Sequence, residues 1–95
     1  MPAPVENVTI FDGDEVVAER VVLIHGPGYA ASHETIKWEG TFRSQHPIPL
    51  VTEKQYRVVI PGHEEGHVVI KGSDSDREFR FYGLGQAPQP VSNAT

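Results

Sequence analysis

The chain has 95 residues, no cysteine, and thirteen acidic against eight Lys and Arg side chains, for a formal net charge of -5. That length makes one domain able to bury a core, with no thiol for a disulfide or a thiolate metal site. The acidic balance argues against a phosphate-neutralising surface, so nucleic acid is not an expected partner.

No apolar run approaches the roughly 20 residues that a membrane-crossing helix needs. The N-terminal MPAPVENV lacks the basic-then-apolar order of a secretory signal. The expectation is a soluble, cytoplasmic protein with no membrane association. Without export, the acceptor patterns Asn7-Val8-Thr9 and Asn93-Ala94-Thr95 carry no meaning. Residues 1–4 (MPAP) and 86–95 (QAPQPVSNAT) are polar and proline-rich and read as flexible tails around one domain at 5–85.

Within that domain, apolar runs alternate with turn signals at the spacing of an all-β fold. Val5–Phe11 is the first predicted strand, with Val8 and Ile10 pointing inward. Asp12-Gly13-Asp14 then makes a tight hairpin turn, because glycine accepts the positive φ such turns require. Glu15–His25 is the longest strand, apolar on both faces: Val17, Val21 and Leu23 on one, Val16, Ala18, Val22 and Ile24 on the other. Two apolar faces predict a bulge near Ala18-Glu19 or a passage between two packing environments. A helix is the competing reading of this stretch, and its five Val and Ile residues argue against it.

After a loop broken by Gly26, Pro27 and Gly28 comes Thr35–Phe42. Ile36, the sole tryptophan Trp38, Gly40 and Phe42 share one face of it, while Thr35, Lys37, Glu39 and Thr41 share the other. Trp and Phe are the largest apolar side chains, so this face is expected at the centre of the core. Arg43–Pro49 reads as a connection, since Pro47 and Pro49 each lack a ladder donor. Leu50–Lys54 reads as a short helical turn. Gln55–Ile60 is a strand with Tyr56, Val58 and Ile60 in phase. Pro61–Gly66 turns it into His67–Lys71, and Gly72–Asp76 turns again into Arg77–Leu84, where Phe79 and Phe81 face in. Six antiparallel strands with one aromatic-rich set of inward faces predict a small closed barrel, since closure removes open edges; a two-sheet β-sandwich is the alternative. Gly40, Gly83 and Gly85 lie on or beside the two aromatic strands, and protein rings are expected to use the space above them.

Four motifs imitate chemistry. His63-Glu64-Glu65-Gly66-His67 matches the zinc-protease spelling H-E-x-x-H, which works when a helix sets both imidazoles on one face. Pro61-Gly62 before it, Gly66 within it and Val68-Val69-Ile70 after it predict strand, turn and strand instead. Val21–Ser32 resembles the strand and His-Gly-x-Gly loop of an oxyanion hole, but the chain has no G-x-S-x-G nucleophile turn to face it. Asp74, Asp76 and Glu78 alternate like the start of a calcium loop, yet the positions that should hold Gly and Glu hold Phe79 and Gly85. His25, His33, His46, His63 and His67 all fall in loops or at strand ends without a metal-ligand spacing, which leaves their convergence in space open. No residue is singled out as catalytic, cofactor-binding or metal-binding, and no cofactor is implied.

Asp12-Gly13 in the first turn, Trp38-Glu39-Gly40 on the central strand and Tyr82-Gly83-Leu84-Gly85 before a proline-containing tail carry a resemblance. From about Val8 to Pro90 the chain resembles an uncharacterised family of small β-domains found alone or appended to flavin-dependent monooxygenases. The resemblance implies an all-β fold and transfers no activity and no site residue. The functional expectation is a non-catalytic module that binds a protein partner through loops or a strand edge. The alternative is a carrier whose barrel interior, around Trp38, Phe42, Phe79 and Phe81, holds a small apolar ligand. A metal-dependent hydrolase built on the HEEGH segment is the remote third.

Overall fold

A computed structural model describes residues 4–25, 38–85 and 88. Six strands form: β1 (Val5–Asp12), β2 (Glu15–His25), β3 (Glu39–Arg43), β4 (Gln55–Val59), β5 (Gly66–Ser75) and β6 (Glu78–Leu84). All pairs are antiparallel, and the order β1-β2-β3-β6-β5-β4 closes through the pairing of β4 with β1. The closing pairs are Thr9 with Val59, Ile10 with Val58 and Phe11 with Arg57. Every strand therefore has two hydrogen-bonded neighbours, and the barrel has no open edge.

Strand alternation fills the interior. Val8, Ile10, Val21, Leu23, Phe42, Val58, Val68, Ile70 and Phe81 are wholly or almost wholly buried, and Trp38 joins them. The rings of Phe42 and Phe81 stack with centroids 4.2 Å apart and planes 15° from parallel. Trp38 meets Phe81 edge to face at 5.5 Å. Such contacts add to the plain burial of the rings. Trp38 directly precedes β3, and its carbonyl accepts a hydrogen bond from the Gly83 amide at 2.6 Å. The expected centre of the core is thus in place, although the strand around it begins at Glu39. Residues 35–37 lie outside the described region.

Two expectations need correction. The Gly72–Asp76 stretch is not a turn: β5 continues to Ser75, with Gly72 opposite Arg80 and Ser73 opposite Phe79. Register shifts between Ile70 and Gly72 and between Ser73 and Ser75 take up the polar residues without breaking the ladder. Nor is Leu50–Lys54 helical. The Lys54 amide reaches the Val51 carbonyl at 3.2 Å, and Glu53 has φ 68°, which is a single β-turn with its third residue left-handed.

The connection from β3 to β4 has to pass the β5–β6 hairpin, because β6 and β5 lie between those strands in the barrel. It does so on backbone hydrogen bonds: Ser44 donates to the Arg77 carbonyl at 2.8 Å, Ile48 to Asp76 at 2.9 Å and Glu53 to Ile70 at 2.7 Å. Pro47 and Pro49 have no amide to place, and between and after them Ile48 and Leu50 pack onto the core. Val51 donates to the hydroxyl of buried Tyr56 at 2.8 Å, which ties the connection to β4.

Candidate functional site

The β1–β2 pair shifts register three times, between Val5 and Val8, between Val8 and Ile10 and between Ile10 and Phe11, over the stretch where the sequence shows two apolar phases. Val5 pairs with Leu23, Val8 with Val21 and Ile10 with Ala18, so the register shifts on both sides of Val8. Ala18 and Val21 are both buried although three residues apart, because the chain at Glu19-Arg20 slips by one and turns the inward phase over. The predicted bulge near Ala18-Glu19 is therefore present. Its partner on β1 was not foreseen, though Val5 and Val8, an odd number of residues apart, are its sequence trace. At the two shifts flanking Val8, Asn7 has φ 62° and Arg20 φ 56°, the left-handed region that side-chain-bearing residues avoid. Asparagine tolerates it through local hydrogen bonding, but arginine has no such excuse.

These residues line a cleft, an outer-wall depression of about 410 Å³ between β1, β2, β3 and the first residues of the following connection. Glu6 and Glu19 supply negative charge, Arg20 and Arg43 positive charge, and His46 a titratable ring. Arg43 is committed: its Nε donates to Glu78 at 2.8 Å, across the register pair those two residues form. Arg20 has no ion-pair partner among the described residues. The cleft is thus large enough for a small ligand or a few side chains of another protein. Its charge is mixed, and Arg20, without an ion-pair partner among the described residues, stands there on left-handed backbone.

Another cleft, about 230 Å³, lies beside the β1–β2 turn against Arg57 and His67. Arg57 is fully employed there. It donates to Glu65 at 2.9 Å and to the Gly13 carbonyl at 3.3 Å, and its guanidinium stands 4.3 Å from the ring centroid of Phe11. Next to it Lys54 donates to Asp12 at 2.6 Å, and that bond with the carboxylate holds the lysine pKa above its usual 10.5.

This neighbourhood takes the HEEGH segment apart. Ile60 accepts from the His63 amide at 2.9 Å with Gly62 at φ 77°, a β-turn with Pro61 leading it, and β5 starts at Gly66. The segment is a strand–turn–strand connection. Glu65 is bound to Arg57, a His63 ring nitrogen sits 3.1 Å from the Pro61 carbonyl, and His67 is in register with cationic Arg57. A helix would have set the two imidazoles on one face; the turn gives each a different neighbour. His46 lies in the outer-wall cleft, His25 closes β2, and His33 lies outside the described residues, as do residues 26–32 of the oxyanion-hole imitation. Asp74 approaches Arg80 at 3.8 Å, Asp76 approaches Arg77 at 3.9 Å and Glu78 holds Arg43, so the three acids of the calcium imitation face three arginines. Among the described residues, no three His, Asp or Glu side chains come together as metal ligands.

The opposite end of β3 shows a different packing. Trp38 lies over Gly83 so closely that a Cβ there would fall within the indole. A Cβ on Gly66 would stand 3.1 Å from the benzo edge of Trp38 and 2.6 Å from Cγ of Pro88, itself buried. Gly40 is needed for another reason: a Cβ there would strike the Ile24 carbonyl oxygen, with Phe81 next at 3.2 Å. The space over Gly85 is open, and its φ of 70° explains the glycine. Rings therefore use the space at Gly83, share it with backbone at Gly40, and do not use it at Gly85. Trp38 Nε1 is buried and has no hydrogen-bond partner among the described residues.

No helix among the described residues is long and apolar enough to cross a membrane. Comparisons with protein-family models, with curated proteins and with solved structures give no match.

Proposed function

We propose that this chain is a non-catalytic, cytoplasmic interaction module that binds a partner protein through the outer-wall cleft over β1, β2 and β3. The observation that carries the reading is Arg20: a non-glycine residue at φ 56°, on a bulge, with no ion-pair partner among the described residues, in a cleft of mixed charge. Bulges re-aim side chains, and left-handed strain in a non-glycine residue persists where something else requires it. A surface with both signs of charge selects a partner by register of charge and rejects misaligned ones. The resemblance to domains appended to larger enzymes is in keeping with an accessory role. The carrier reading is weaker, since stacked Phe42 and Phe81 and the edge of Trp38 occupy the volume where an apolar ligand would go.

The test is photo-crosslinking in extracts of the source cell. A photoreactive residue at Gln45, on the cleft rim, should give a discrete protein adduct, and one at Asp14, in the β1–β2 turn and outside the cleft lining, should not. Arg20→Glu should remove the adduct and leave the melting temperature within a few degrees. Equal adducts from both positions, or saturable binding of an apolar fluorescent dye by the native protein with no adduct, would replace the module with the carrier.

A further inference from the structure

We propose that the Trp38 end of the barrel is a proline-recognition seat, filled in cis by Pro88 and in trans by a proline-containing segment of a partner protein. The inference goes beyond the outer-wall cleft and does not depend on it.

Pro88 is buried, and its ring and the benzo edge of Trp38 bracket the same point above Gly66. A proline ring against an aromatic edge, over backbone bare of side chains, is how grooves for extended proline-rich segments are built. Such segments bind with little loss of entropy because they are already extended. Glycine at 66 makes the seat: any Cβ there would push the proline ring away. At the same time the Trp38 indole N–H, buried over Gly83 on the next strand, has no acceptor among the described residues. A buried donor with no acceptor among the described residues is a standing cost of the cis arrangement. Proline-rich segments make no internal hydrogen bonds and so carry free carbonyls. A trans segment that seats its proline and offers one of these carbonyls to Trp38 Nε1 gains an interaction that the cis arrangement lacks. The chain's own proline is then a competitor, which lowers the apparent affinity by the fraction of molecules in which the seat is open.

Trp38 is the only tryptophan, so its emission and its single indole N–H resonance report on this seat alone. The probe is a synthetic proline-rich peptide unlike the chain's own tail, KPPPPPPPK, which offers a ring and a free carbonyl at each proline, and the control is the same peptide with its prolines changed to alanine. Full-length wild type should bind the probe weakly. Full-length Pro88→Ser should bind it about tenfold more tightly because the cis competitor is gone, and neither should bind the control. Binding should move the indole N–H proton resonance downfield, the sign of a new acceptor. In Pro88→Ser the tryptophan emission should shift to the red and return on saturation with the probe. Arg20→Glu should leave all of this unchanged, which separates failure of the seat from failure of the cleft. If Pro88→Ser is too unstable to titrate, the indole resonance of the wild type decides: no shift at saturating probe overturns the seat. Equal binding of probe and control, or equal affinity of wild type and Pro88→Ser, overturns it as well. A wild-type dimer abolished by Pro88→Ser would assign the trans segment to a second copy and overturn the partner reading.

Discussion

Trp38 and Gly83 are bound to each other twice: the Gly83 amide donates to the Trp38 carbonyl at 2.6 Å, and the Trp38 indole fills the space where a Gly83 side chain would begin. The backbone bond fixes the strand spacing, and the missing side chain lets the ring lie flat against β6. Trp38→Ala should destabilise the domain by about 3–5 kcal/mol, the usual loss for a fully buried large ring. Gly83→Ala should cost on the order of 3 kcal/mol, at the upper end for overpacking because the indole has no room to retreat. In the double variant the clash disappears, so the two effects should fall short of additivity by roughly 1–3 kcal/mol. Urea titration of the four proteins measures this. Additive losses would show that ring and glycine do not share one space.

Arg20 should be a site where losing a side chain does not cost stability. Its φ of 56° penalises any residue with a Cβ, so Arg20→Gly should be neutral or stabilising by up to about 1 kcal/mol. Asn7→Gly should gain less, since asparagine already tolerates that region. A loss above about 1 kcal/mol for Arg20→Gly, read by thermal or urea melts, would mean that the guanidinium holds the fold and is not reserved for a partner.

The Lys54–Asp12 pair should be visible in alkaline melts. The lysine pKa is raised in the folded protein, chiefly by its hydrogen bond to Asp12. A raised lysine value contributes stability in full below the usual 10.5, and that contribution is lost as pH rises through the shifted value. The melting difference between wild type and Lys54→Met should therefore be small and constant at neutral pH and vanish at strongly alkaline pH. It should also shrink in high salt, because both side chains are exposed. A difference that grows with pH would contradict the pair.

Chelation should leave the protein unchanged. Glu65 is held by Arg57, and the His63 and His67 rings have different neighbours, so no folding energy is stored in a metal at the HEEGH turn. Identical melts with and without EDTA are expected for wild type and for the His63→Ala/His67→Ala double variant. Stoichiometric zinc after purification, or a drop of several degrees on chelation, would reverse this.

Period-two alternation made the six strands, the inward faces of Val8, Ile10, Tyr56, Val58, Phe79 and Phe81, and the closed barrel readable from the sequence alone. Alternation is a property of the strand itself and survives whatever the strand packs against. A bulge near Ala18-Glu19, or a passage between two packing environments, was legible too, since a two-sided apolar strand must change phase somewhere; the shift falls between Ala18 and Val21. The polar run Gly72–Asp76 misled because turn composition and a bulged strand end are locally alike, and only pairing with β6 distinguishes them. The cleft, the left-handed Arg20 and the seat of Pro88 belong to the tertiary structure. Each depends on which residues of distant strands come together: Arg20 with Arg43 in the cleft, Trp38 against Gly83, Gly66 beneath Pro88. Such pairings are settled by how the closed barrel fits its rings together, and no local stretch of sequence contains both partners.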